Sequence, residues 1–338
     1  MECGGLPPLF WSHHLSHKLR RSLASQRYLF SCIGSLQFFF PLCLCDCVVT
    51  LLFVWLALAP QIPSVILPTM NQRLRYEIRG LAYWAECANP FRNTVTARNL
   101  PLDLRMQGYK RDAVGRGLYR RGLHEPGLTK YLLDTFSHSP GGNFLDVGAN
   151  IGYFSCLLGK LAGPSGKVVS VEPEPQNRQL LETNLRNNHL TNVTVHACAV
   201  GAQDGTAKMG IYKPANRGRH SLVDLEPCKK FIEVPVRPLD ALLRDSGVSS
   251  WTLMKMDVEG FEPYAFQGGA ETLSRTESLA LEYAPAYWKK AGFEPAAVFK
   301  TLAKYFSRID RFIDLQLVPI TAEECARSEM TFDLLLRR

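Results

Sequence analysis

The 338-residue chain has no C-x-x-C pair among its ten cysteines, which excludes the usual zinc and dithiol redox motifs. Five cysteines (Cys3, Cys32, Cys43, Cys45 and Cys47) precede residue 50. The other five (Cys87, Cys156, Cys198, Cys228 and Cys325) are scattered, mostly in apolar company, as free thiols of a reducing compartment would be. There is no internal repeat and no run of five basic residues, although the formal net charge is +8. Part of that charge is amino-terminal, where Lys18, Arg20, Arg21 and Arg27 face only Glu2. Tyr and Arg interleave from Gly108 to Arg121 but no recognised nucleic-acid module accompanies them, so a nucleic acid is disfavoured as partner. A composition of 46% hydrophobic and 21% charged residues excludes disorder along the whole chain and supplies a sizeable core.

Residues 1–69 differ from the rest. Leu36 to Leu67 is apolar, and Phe38 to Ala59 carries one charge, Asp46, over 22 residues. That length suits a helix crossing a hydrocarbon core of ~30 Å. Two readings stand: a single membrane anchor, or a mis-extended start ahead of Met70. Basic residues on both flanks leave an orientation undecided, and a signal peptide fits poorly. The expected organisation is this extension, an accessory or lid region at 70–125, and a main domain at 126–338, cytoplasmic and tethered only if the anchor reading holds.

From Asn143 onward short apolar runs alternate with helical periodicity. Asn143–Val147, Lys167–Val171, Val193–Ala197, Ile232–Arg237, Thr252–Met256 and Leu279–Tyr283 read as strands. Ile151–Leu161, Gln176–Asn187, Pro238–Asp245 and Glu294–Tyr305 read as helices, and Arg308–Ile313 and Met330–Leu336 as closing strands. This alternation predicts an α/β fold with a doubly wound, mostly parallel sheet.

Three motifs carry chemistry. In FLDVGANIGYFS (Phe144–Ser155) a strand runs into a turn and a helix. Gly148 permits a positive φ, and Gly152 permits close approach. Against a G-x-G-x-x-G fingerprint, Asn150 and Tyr153 stand where the second and third glycines belong, so a pyrophosphate-binding turn is disfavoured. D-x-G-x-x-x-G suits a phosphate-free ligand such as S-adenosylmethionine, with Asp146 available to its amino group. Glu172, 26 residues beyond Asp146, ends the next strand, where a carboxylate can accept ribose hydroxyls. LMKMDVEGFE (Leu253–Glu262) delivers Asp257 and Glu259 to the same sheet edge. Either is a candidate general base, or a ligand of a divalent metal that nothing else indicates. In the loop Lys213–Leu222, Arg217, Arg219 and His220 are candidates to grip an acidic sugar or phosphate, with His220 a further candidate base.

DVGANIGYFS, VEPEPQNRQLLETNL, the AVGAQDG turn, Leu239-Asp240 and MKMDVEGFE together resemble the FkbM-type methyltransferases over roughly Asn143 to Tyr283. The resemblance implies a class I, Rossmann-like sheet of seven strands with the last antiparallel. It also implies S-adenosylmethionine as cofactor and O-methylation of a sugar, glycolipid or secondary metabolite. Asp146, Gly148, Asn150, Gly152, Glu172, Asp257, Glu259 and Gly260 match the family pattern; Glu174 departs from its usual Asn or Asp. Two rivals stand beside it: an NAD-dependent oxidoreductase, since Glu172 would serve a dinucleotide, and a catalytically inactive, membrane-tethered binding protein.

Overall fold

A computed structural model describes residues 72–212, 220–223, 228 and 230–338. The proposed anchor at 36–67 and the arginines Arg217 and Arg219 lie outside the described residues. Among the described residues, no helix is long and apolar enough to cross a membrane.

The chain begins with α1 (Gln72–Ala88), then a hairpin of β1 (Thr94–Ala97) and β2 (Met106–Tyr109), α2 (Ala113–Arg121) and α3 (Pro126–Phe136). The alternating part follows: β3 (Phe144–Val147), α4 (Tyr153–Ala162), β4 (Val168–Val171), α5 (Pro175–Asn187) and β5 (Val193–His196). A small sheet comes next, from β6 (Ala199–Val200), β7 (Gly205–Gly210) and β8 (Phe231–Arg237). After α6 (Leu239–Leu243), the main sheet resumes with β9 (Leu253–Met256), α7 (Glu262–Gln267), α8 (Ala270–Ser274) and β10 (Ser278–Tyr283). Then come α9 (Pro285–Lys290), α10 (Pro295–Leu302), β11 (Arg308–Ile313), β12 (Gln316–Pro319), α11 (Ala322–Arg327) and β13 (Phe332–Arg337).

The main sheet has the order β12-β11-β13-β10-β9-β3-β4-β5. β5, β4, β3, β9 and β10 are mutually parallel, while β13 inserts antiparallel between β10 and β11. The expected seven strands with an antiparallel last strand are therefore present. An eighth is added because the chain turns back at Asp314 and pairs β12 along β11. β3, β4 and β9 are buried at every position, as strands covered on both faces must be.

The two faces pack separate cores. Leu145, Val147, Met254, Met256, Leu279 and Leu281 face one side, with Trp251, Trp288 and Phe299 against them. Phe144, Leu253, Ala280 and Leu335 face the other, beneath Leu128, Leu132, Phe154, Leu157 and Leu158 of α3 and α4.

The amino-terminal region is stitched to α5 by two asparagines one helical turn apart. Asn184 accepts from Gln107 N at 2.7 Å and donates to Gln107 O at 3.0 Å. Asn188 does the same at Arg105, accepting at 2.9 Å and donating at 2.9 Å. Both side chains thus imitate the backbone of a neighbouring strand, satisfying backbone groups of Gln107 on β2 and of Arg105 just before it. The described cysteines, Cys87, Cys156, Cys198, Cys228 and Cys325, are all free thiols.

Candidate active site

The carboxyl ends of β3, β4 and β9 meet at one cleft, about 610 Å³ including its open mouth. Gly148, Asn150, Glu172, His220, Asp257 and Glu259 line it, so these six residues singled out from sequence come together here. Apolar wall is added by Val171, Ala199, Met209, Leu222 and Phe261.

The turn after β3 shapes the floor. Gly148 has φ +85°, and a Cβ there would lie 1.8 Å from the carbonyl oxygen of Asp257. Only glycine allows these two strand ends so close. Asn150 holds φ +51° and donates its backbone N–H to Glu172 Oε2 at 2.7 Å. Glu172 Oε1 accepts from Glu174 N at 2.9 Å. Each carboxylate oxygen has a second lone pair, so the buried Glu172 can still accept from two further hydroxyls. Burial pushes its carboxyl up to about 7 against the opposing pull of these amides. Glu174, the departure from the family pattern, caps α5 by accepting from Asn177 N at 2.6 Å, the task a shorter Asn or Asp performs.

Asp146 and Gly152 lie beneath the cleft instead of on its wall. Asp146 is 1% exposed; its Oδ2 accepts from Ser155 Oγ at 2.6 Å and its Oδ1 has no hydrogen-bond partner. Burial raises its carboxyl above the usual range. At Gly152, φ is +84° and a Cβ would meet Leu181 Cγ at 2.8 Å, so this glycine serves the packing of α4 on α5. His220 Nδ1 accepts from Tyr212 N at 3.2 Å, which leaves Nε2 as the protonated nitrogen of a neutral imidazole.

Ladder register explains a second cavity, about 210 Å³ including its mouth, on the far side of Asp257. Asp146 pairs with Lys255, Lys255 with Ala280, and Ala280 with Leu335, one row across the sheet. Side chains alternate faces along each strand. The next row on the same face, toward the carboxyl ends of the parallel strands, is therefore Asp257, Glu282 and Asp333, with Phe312 following on β11. All four line the cavity, and Glu125 enters it from the start of α3.

Lys255 is the one cation in this lining and is 5% exposed. Its Nζ donates to Asp257 Oδ2 at 3.0 Å, lies 3.6 Å from Glu125 Oε1, and sits 5.0 Å from the centre of the Phe154 ring. Burial alone would lower its pKa, but Asp257, Glu125 and Asp146 outweigh that and raise it. His124 beside it is pushed down to about 4 by burial and by the Lys255 charge, hence neutral. Asp257, Glu259 and Glu282 also bring carboxylate oxygens within 4.8 Å of one another.

Sequence reasoning missed Lys255, Glu125, Glu282 and Asp333. The available signal was a charge inside an apolar strand, as in LMKM, LALEY and FDLLL. Such a side chain must find a partner or a cavity.

A parallel sheet whose order reverses beside β3, closed by an antiparallel hairpin strand, defines the class I methyltransferase fold. The chain belongs to the FkbM methyltransferase family, whose domain (Methyltransferase FkbM domain) matches residues 146–315. Among curated proteins, a protein-L-isoaspartate O-methyltransferase of Aeropyrum pernix is 31% identical over 111 residues, covering 33% of this chain and 41% of that protein. The chain thus spans less than half the length of that relative. Among solved structures, FkbM methyltransferase from Methylobacillus flagellatus is 17% identical with a TM-score of 0.39, covering 86% of this chain and 59% of that one. The O-methyltransferase TomG from Streptomyces achromogenes, solved in complex with SAM, is 14% identical with a TM-score of 0.36, covering 64% and 81%.

Proposed function

We propose that this protein transfers a methyl group from S-adenosylmethionine to a hydroxyl of a small-molecule acceptor. The observation that carries this reading is Glu172, fixed by the amides of Asn150 and Glu174 at the edge of a cleft whose turn lacks the glycines of a dinucleotide site. Glu172 would bind the ribose hydroxyls, and the apolar wall around Val171, Ala199 and Met209 would hold the adenine. Bound there, the cofactor supplies an electrophilic methyl on a sulfonium. Asp146, below the floor, is assigned to shaping the field under the cleft, together with Lys255.

Asp257 lies where the two cavities meet, and its carboxylate is fixed by Lys255. It is assigned as the base: Asp257 would take the proton of the acceptor hydroxyl as that oxygen attacks the methyl group the cofactor would supply. Glu259 stands beside it as the alternative proton acceptor, and His220, with Nε2 protonated, as a donor to the acceptor molecule. Orienting the two reactants supplies the larger share of the acceleration, up to ~7–11 kcal/mol. The accessory region, 70–125, is assigned as the lid, since its last residue, Glu125, reaches the second cavity.

Calorimetric titration of the full chain with S-adenosylhomocysteine and with NAD tests the reading. Micromolar binding of S-adenosylhomocysteine, weakened at least tenfold in Glu172→Ala, is expected, with no heat from NAD. Tight NAD binding would install the oxidoreductase instead. Cofactor binding without methyl transfer to any hydroxyl acceptor would leave the inactive binding protein.

A further inference from the structure

The second cavity has a charge imbalance that its own residues do not resolve. Glu125, Asp257, Glu282 and Asp333 face one ammonium, that of Lys255, which is engaged with Asp257 and Glu125. Among the described residues, Glu282 and Asp333 accept no hydrogen bond and form no ion pair. One row below, on the same face, the fully buried Asp146 leaves Oδ1 without a partner. The far wall is the Phe312 ring, with Leu128 and Leu334. A small cavity that combines unpaired carboxylates with an aromatic face suits the ammonium end of an organic cation, which gains from both the charges and the ring quadrupole.

Resting on the methyltransferase reading, we propose that the acceptor is a cation: a small molecule bearing a protonated amine, held by Glu282 and Asp333 against Phe312, with its hydroxyl delivered to Asp257. The order across the row fixes the geometry. Asp257, Glu282, Asp333 and Phe312 occupy successive strands, so the ammonium would sit one to two strand spacings, ~5–10 Å, from the reacting oxygen. This reading favours an amino alcohol or amino sugar over the acidic sugar or phosphate expected from Arg217 and Arg219 in the Lys213–Leu222 loop.

The electrostatics of the cavity support the assignment. The Asp257 charge, then burial, pushes Glu282 up to about 10. Burial, then Glu125, pushes Asp333 up to about 7, and burial pushes Glu125 up to about 7. A bound ammonium would reverse those shifts and expel protons.

The test uses the full chain saturated with S-adenosylhomocysteine, titrated with benzylamine as a cationic probe and benzyl alcohol as its neutral match. Benzylamine should bind at least tenfold more tightly, release protons in buffers of differing ionisation heat, and tighten between pH 6 and 8. Glu282→Gln combined with Asp333→Asn should abolish that preference while S-adenosylhomocysteine still binds, which shows the variant folded. Equal binding of both probes, or an unchanged preference in the variant, overturns the proposal and leaves the cofactor assignment standing. Binding of magnesium alone with no preference for benzylamine also overturns it, making Asp257, Glu259 and Glu282 a divalent-cation site. Failure of S-adenosylhomocysteine to bind at all would strike the methyltransferase reading itself.

Discussion

Gly148 is where the two halves of the site touch. Its positive φ, +85°, is open to glycine at little cost, and its Cα lies so close to the Asp257 carbonyl that a methyl group would overlap it. Neither obstacle can be relieved separately, because Gly148 N and Ala149 N both donate to Val171 O at 3.0 Å and fix the turn against β4. Gly148→Ala should therefore cost about 3–5 kcal/mol, at the upper end of single-site effects, and part β3 from β9 at their carboxyl ends. Urea unfolding reads the stability. The expected companion is a loss of S-adenosylhomocysteine affinity of more than tenfold in whatever protein remains folded. A fully stable variant with intact affinity would show that this approach is not needed.

Among the elements, the attachment of β2 to α5 depends on side chains doing the work of a strand. Asn184 is fully buried and makes three hydrogen bonds, to Gln107 N, Gln107 O and Ile151 O. Truncation strands the Gln107 amide and carbonyl, at about 2–4 kcal/mol for the set. Asn184→Ala should accordingly raise amide hydrogen exchange across residues 94–109 far more than across β3 or β9. Equal protection loss in all three places would mean that the hairpin and the sheet unfold together. Nothing in the sequence announced this clasp, because Asn184 and Asn188 lie on a helix whose polar residues read as a solvated face. The strands at 143–147, 167–171 and 252–256 were legible for the opposite reason: a short apolar run between turn signals has few other uses. β7 was not, since GTAKMG lacks both apolar run and alternation and is held by its ladder to β8. Gly148 and Asn150 were readable as a turn from the spacing after one strand, and Glu172 from its place at the end of the next. The carboxylate row was not, because Asp257, Glu282 and Asp333 become neighbours only through the register of three strands, one of them antiparallel.

For the molecule as a whole, that row makes stability depend on pH in a direction opposite to most carboxylates. An unfolded Asp releases its proton near pH 3.9 and an unfolded Glu near pH 4.3. In the folded chain Glu125 and Asp333 keep theirs to about 7, and Glu282 to about 10. Between those limits the folded state binds more protons than the unfolded state, so these groups lower stability as the pH rises. Asp310, held below its usual value by Arg308 and Arg337 although burial opposes them, works the other way and loses its contribution only in acid. The two effects separate in a difference measurement. Glu282→Gln combined with Asp333→Asn should match the parent chain near pH 4 and become more stable above it, by on the order of 1–2 kcal/mol at pH 8. Urea unfolding at half-unit steps from pH 4 to 8 gives the curve. A difference that stays flat, or that favours the parent at pH 8, would mean these carboxylates lose their protons in the folded chain as readily as in water. In that case the cavity would have no stored charge repulsion for a cationic acceptor to relieve.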